Sequence, residues 1–234
     1  MGATELSGAV ATATLQVHGN TLMLMPEKAV FLPECDTLLV ADVHIGKATS
    51  FRSLGVPVPA GTTDETLSLL TRLVDRLAVK RIVFLGDFLH SARSLGAATF
   101  ATLRCWRERH GALELTLVRG NHDDRAGDPP AALGFEVVDE PVCLGGLALA
   151  HYPRPVPGAY VLAGHLHPAI GVGHGLDRVR LPCFWLQPRV GVLPAFGSFT
   201  GTHGVRAQEG DRVFAVAEQR VVELDLESGR KGGR

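Results

Sequence analysis

Carboxylates, imidazoles and one amide recur along this chain at spacings suited to holding metal ions. Asp42 and His44 lie two residues apart in "TLLVADVHIGK", at the end of an apolar run that suits a buried strand. Losing water is costly for both groups unless something offsets it. The pattern then repeats. Asp87 and His90 follow "RIVFLG", and Asn121, His122 and Asp123 follow "LELTLVRG". His151 ends "LALAH", and His165 and His167 end "VLAGHLH". Open α/β sheets place their sites at the carboxyl ends of strands, so these runs could feed one rim.

Residues i and i+2 of a strand point to the same side. Asp42 with His44, and His165 with His167, can therefore each send two ligands into one pocket if extended geometry persists. Gly86, Gly120 and Gly164 precede Asp87, Asn121 and His165, and glycine permits the sharp turns that a crowded ion site needs. Nitrogen and oxygen donors without thiolate suit Mn²⁺, Fe²⁺ or Zn²⁺ better than Ca²⁺ or an iron–sulfur cluster. There are too many donors for one tetrahedral zinc. Two ions about 3.5–4 Å apart, sharing a carboxylate and a hydroxide, would use them all. A single Asp-x-His or Gly-Asn-His-Asp is more often an ordinary turn; the succession of clusters carries the metal reading. His18, His110, His174 and His203 fit no motif and are expected at the surface.

The elements that must position these groups are legible in outline. "TLLVAD", "RIVFLGD" (81–87) and "LELTLVRGNHD" (113–123) read as strands separated by helices. Thr62 as N-cap with Glu65 three residues on predicts a capping box, followed by Leu67, Leu70, Val74 and Leu77 at helical spacing. A second helix is expected over about 97–110, with Phe100, Leu103 and Trp106 or Arg107 inward. Strand–helix alternation implies parallel βαβ units. From "FEVVD" onward, short strand-like runs broken by Gly and Pro suggest a second, more antiparallel sheet facing the first.

With 234 residues, 46% of them apolar and 20% charged, the chain can bury a sizeable core. A net charge of −1 gives no broad basic field for nucleic acid. Cys35, Cys105, Cys143 and Cys183 are widely spaced and read as small core residues in a reducing compartment. No run approaches a membrane span and no leader is apparent, so a cytoplasmic location is expected.

The ordered set D-x-H, G-D-x-x-H, G-N-H-D, H and G-H-x-H resembles the calcineurin-like metallophosphoesterase superfamily. "LLVADVHIGKATSFRSLGVPVPAGTTDETL", "LGDFLHS", "RGNHD", "GHLHPA" and "LPCFWLQPRVGVLPAFGSFTG" are similar to its ligase-associated members, the PdeM family, over about residues 15–224. The resemblance implies an α/β fold of two facing mixed β-sheets flanked by helices, an α-β-β-α sandwich. It would form one domain over residues 1–234, with about 1–14 and 226–234 as flexible termini. It also implies that Asp42, His44 and His167 hold one metal, that Asp87 bridges, and that Asn121, His151 and His165 complete the second. His122 would lie near the phosphate and protonate the leaving oxygen, with Asp123 orienting its ring and His90 in a supporting position. Arg52 and Arg119 are phosphate-binding candidates by position alone.

The implied cofactors are two divalent ions, Mn²⁺ before Fe²⁺ or Zn²⁺. The implied substrate is nucleic acid, DNA first, cleaved by an endonuclease working in repair alongside a DNA ligase. The alternatives are an esterase for small nucleotides or phosphomonoesters and, with its ligands intact, a less favoured silent scaffold. Lys47 has no assigned role.

Overall fold

A computed structural model describes residues 11–53, 55–56, 61–173, 178–197 and 200–225. Three antiparallel strands begin it: β1 (Ala13–Val17), β2 (Asn20–Leu24) and β3 (Val30–Leu32). β3 pairs antiparallel with β4 (Thr37–Val40). β4, β5 (Arg81–Leu85), β6 (Glu114–Val118) and β7 (Phe135–Val138) then run parallel in that order. Between β4 and β5 come α1 (Lys47–Ser53) and α2 (Thr62–Leu77); α3 (Ala97–Arg109) joins β5 to β6, and the short α4 (Asn121–Ala126) follows β6.

The second sheet holds β8 (Val142–Leu144), β9 (Leu147–Ala150), β10 (Tyr160–Ala163), β11 (Pro168–Val172) and β12 (Val179–Leu186). It is completed by β13 (Val190–Val192), β14 (His203–Gly204), β15 (Arg212–Ala217) and β16 (Arg220–Glu223). Its centre is parallel, β9 to β10 to β13, while β12 pairs antiparallel with β11, β13 and β15.

The period-2 pattern of the strands builds two cores. Leu38 and Val40 of β4 and Ile82 and Phe84 of β5 face α2 and α3, where Leu67, Leu70, Val74, Leu103 and Trp106 cover them. Leu39, Ala41, Val83 and Leu85 point the other way, against Leu147, Leu149, Leu162 and Phe184 of the second sheet. The two mixed sheets thus face each other across an apolar layer, with α2 and α3 outside the first.

Several expectations change. β1 and β2 escape a pattern reading because their polar residues half-expose them, and β3 because it is only three residues long. β1 also takes in Ala13 and Thr14, expected in a tail; residues 1–10 and 226–234 lie outside those described. "FEVVD" closes the first sheet, where Val137 joins the helix-side core and Val138 the inter-sheet core. Helix α2 starts one residue early: Gly61 is the N-cap, Thr62 lies inside, and no capping box forms. Only Cys183 is buried; Cys35, Cys105 and Cys143 are exposed. His110 is buried, its Nε2 within 3.1 Å of the Thr71 hydroxyl, whereas His18 and His203 are exposed. His174 lies outside the described residues.

Phe84 is fully buried, its ring 5.0 Å from that of Phe88 and 5.5 Å from that of Phe135. Phe84→Ala should lower stability by about 3–5 kcal/mol, read as an earlier urea midpoint with an unchanged slope. A loss under about 1 kcal/mol would contradict this packing.

Candidate metal centre

The strands stop short of the polar clusters they aim. β4 ends at Val40, and Asp42 (φ 53°) and His44 (φ 49°) both take left-handed backbone. So do Asp87 (φ 53°), His165 (φ 71°) and His167 (φ 50°). Each such non-glycine residue costs about 1–2 kcal/mol. The extended i, i+2 geometry expected from the sequence is therefore not how these pairs converge. Left-handed turns alternating with ordinary backbone bring both members inward. Backbone bonds hold the turns: His44 N donates to the Asp87 carbonyl (2.9 Å) and Ile45 N to that of Phe88 (2.7 Å).

Three groupings of donors result; one is His44 with His90 and His122, and the other two hold the expected ligands. Asp42, His44 and His167 each offer an atom within 4.8 Å of the others, and so do Asp87, His151 and His165. They adjoin, since His44 Nε2 is 3.9 Å from Asp87 Oδ2 and His151 Nδ1 is 4.0 Å from Asp42 Oδ1. Asn121 Oδ1 lies 3.1 Å from His151 Nε2, on which His165 Nδ1 also converges at 3.0 Å. The structure thus brings Asp42, His44, Asp87, Asn121, His151, His165 and His167 together. Glycine is required at Gly86, where φ is +79° and a Cβ would overlap the His151 ring.

Hydrogen bonds fix the direction of several rings. A carbonyl only accepts, so His151 Nδ1–H donates to Leu85 (3.0 Å) and His167 Nδ1–H to Gly201 (2.9 Å). In both rings Nε2 is left as a lone pair facing the carboxylates. Asp42 Oδ1, His44 Nδ1 and His167 Nε2 are buried without a hydrogen-bond partner. Unpaired buried acceptors of this kind are costly. A divalent cation would satisfy them together, and the donor set fits one.

The electrostatics agree. Burial first, then the charges of Lys47, His167, His122 and His90, push His44 far below the usual imidazole range, so its ring is neutral. Burial likewise lowers His165, with the His151 ring adding to the effect. Burial opposes the charged form of His167, but the Asp42 carboxylate, 3.4 Å from its Nε2, outweighs this and raises it. Burial raises Asp87, helped by Asp42 and opposed by His151 and His122.

His122 stands at the edge of the clusters with its Nε2 4.0 Å from Asp87 Oδ2. Its Nδ1–H donates to the His90 carbonyl (2.7 Å), and the His90 ring stacks on it at 5.1 Å. His90 therefore supports it through backbone and stacking. Asp123 does not orient that ring as expected. Its carboxylate accepts from Gly120 N (3.0 Å) and Leu89 N (3.1 Å), capping α4 and tying it to the segment after Asp87. Burial, against those two bonds, raises its pKa to about 6.

Arg119 points its guanidinium at Asp128 (2.8 Å) and Asp139 (2.7 Å). Arg52 is exposed on α1, donating to the Thr49 hydroxyl at 3.4 Å. The cation that does face the imidazoles is Lys47, half-buried, whose charge depresses His44 and His90. Its position three residues after His44 was the only sequence signal.

Among solved structures, the nuclease MPE of Pseudomonas putida shares 42% identity with the chain, covering 91% of it and 100% of that protein, with a TM-score of 0.82. The chain belongs to the metallophosphoesterase superfamily, in its ligase-associated endonuclease family. A phosphoesterase from E. coli, Yfce, is 15% identical over 80% of this metallophosphoesterase and 97% of its own chain, TM-score 0.40. The Aquifex aeolicus protein AQ665, of unknown function, is 18% identical over 56% and 78%, TM-score 0.37. No protein-family model and no curated protein matches the chain.

In this metallophosphoesterase, Gly86→Ala should weaken Mn²⁺ binding by about tenfold or more, measured calorimetrically, because the His151 ring must move. Unchanged affinity would show that the ring's position does not matter to the ion.

Proposed function

We propose that the chain is a two-metal phosphodiesterase that cleaves nucleic-acid backbones, with DNA as substrate and ligase-associated repair as its setting. The observation that carries the phosphoester chemistry is the adjacency of the two donor clusters to His122 Nε2. The nucleic-acid substrate draws support from the Pseudomonas putida relative, itself a nuclease. Asp42, His44 and His167 would hold one ion, and Asn121, His151 and His165 the other, with Asp87 between them. The mixed oxygen and nitrogen donors favour Mn²⁺, with Fe²⁺ or Zn²⁺ as alternatives. No described helix is long and apolar enough to cross a membrane. The free cysteines suit a reducing, cytoplasmic compartment.

Bound divalent ions would supply hydroxide near neutral pH and neutralise phosphate oxygens. The chain's own residues do the rest. Buried Asp42 and Asp87 present carboxylate oxygens to the clusters, and Lys47 adds positive charge beside the rings. His122 is the proton carrier. With Nδ1–H fixed on the His90 carbonyl, its Nε2 can deliver a proton only toward the clusters, where the departing oxygen receives it as the phosphorus–oxygen bond breaks.

With Mn²⁺, the protein should hydrolyse bis(p-nitrophenyl) phosphate and single-stranded DNA. Asp87→Asn should lower kcat by more than about a hundredfold, and His122→Ala by about 10²–10⁴. The His122 loss should shrink on the p-nitrophenyl ester, whose leaving group needs no proton. Full activity in Asp87→Asn would overturn the two-metal reading. Monoester turnover far above diester turnover would replace it with a phosphomonoesterase.

A further inference from the structure

A half-buried lysine stands beside the metal centre without a carboxylate to balance it. Lys28 sits in the turn between β2 and β3 with left-handed backbone (φ 66°), a strained choice for a non-glycine residue. Its Nζ donates to the Phe196 carbonyl at 2.8 Å. Among the described residues no carboxylate pairs with it, and the adjacent Glu27 pairs instead with Arg76 at 2.7 Å. The wall that receives Lys28 is tied to the metal centre. Phe196 N donates to the Ala41 carbonyl (2.8 Å) and Gly197 N to that of Asp42 (3.3 Å).

Lys28 and His167 line one cleft of 170 Å³, together with Gly197, Thr200 and Thr202. A single water needs only about 10–15 Å³, so the space admits a larger polar group. An ammonium has three donors and Phe196 takes one, leaving two for a ligand. Arg180 brings a second cation to the rim, 3.4 Å from the Thr202 hydroxyl. The Thr200 hydroxyl donates to the Gly197 carbonyl at 3.3 Å, whereas that of Thr202 accepts from Arg180 and keeps its own proton free. Two cations and the Thr202 hydroxyl make a site for an oxyanion, and the place of His167 in the same cleft sets that oxyanion beside the reaction centre.

We propose that Lys28, with Thr202, holds the phosphate adjoining the scissile one in the substrate strand, so that the enzyme prefers a polynucleotide to an isolated diester. The inference rests on the nuclease reading above. Burial lowers the Lys28 pKa to about 8, so the ammonium is still the major form at pH 7. A bound phosphate would supply its missing counter-charge.

The test uses thymidine trinucleotides with two phosphates, or with either one replaced by a neutral, uncleavable methylphosphonate. For the natural protein, neutralising the phosphate on one side of the cleavable bond should raise KM about tenfold, the value of one charge-assisted hydrogen bond. Lys28→Met, which keeps the aliphatic stem, should abolish that difference, and Lys28→Arg should retain it. Without metal, in EDTA, fluorescein-labelled (dT)₈ should bind with a log K against log[salt] slope about 0.7 shallower in Lys28→Met. A slope and a methylphosphonate effect unchanged by Lys28→Met would overturn the subsite while leaving the nuclease reading intact. Cleavage of bis(p-nitrophenyl) phosphate with neither cleavage nor binding of oligonucleotides would remove both.

Discussion

Two carboxylates and two imidazoles are buried together here, with further imidazoles beside them and lone pairs facing one another, an arrangement that a divalent cation would reconcile. Asp42 and Asp87 are almost wholly removed from water, and His151 is completely so. Arginines elsewhere in the chain answer acids at the surface, as Arg119 does for Asp128 and Asp139. No such partner reaches Asp42 Oδ1 or His167 Nε2. Leaving charged groups uncompensated inside a protein costs several kcal/mol each. The local backbone moves in the same unfavourable direction, with left-handed residues at five of the donors. A fold retains such strain only where the surroundings over-determine it.

Those surroundings are the two sheets. β4 and β5 bring Asp42, His44 and Asp87 from the first, while β9 and β10 bring His151, His165 and His167 from the second. Neither sheet alone completes the Asp42–His44–His167 or the Asp87–His151–His165 cluster, so the apolar layer between them sets the spacing of those donors. A bond across the gap refines it, His165 N donating to Asp42 Oδ2 at 2.9 Å, and within the first sheet's own turns His122 N donates to Asp87 Oδ1 at 2.9 Å. Packing in the inter-sheet core and geometry at the metal centre are therefore one problem.

What the sequence disclosed follows from how local each signal is. The parallel β4 to β6 ladder was legible because Leu38 to Val40 and Ile82 to Leu85 are continuous apolar runs. The donors were legible because a carboxylate or imidazole closing a buried apolar run is costly unless it binds something. The turn geometry was not, since left-handed backbone at Asp42 or His165 arises from tertiary bonds that no neighbour in sequence encodes. Asp123 shows the same limit. Next to His122 in sequence, it suggested an orienter, but α4 begins at Asn121 and its third position turns back to cap Gly120. Lys28 and Phe196 meet across 168 residues, beyond any pattern reading.

The chemistry proposed for this centre requires both donor clusters to be filled at once. Titration of the metal-free protein with Mn²⁺, followed by electron paramagnetic resonance, measures this directly. Two ions per chain should bind and give the multiline signal of an exchange-coupled pair, lost in Asp87→Asn. One ion per chain at saturation, or two that are magnetically independent, would contradict a shared dinuclear centre.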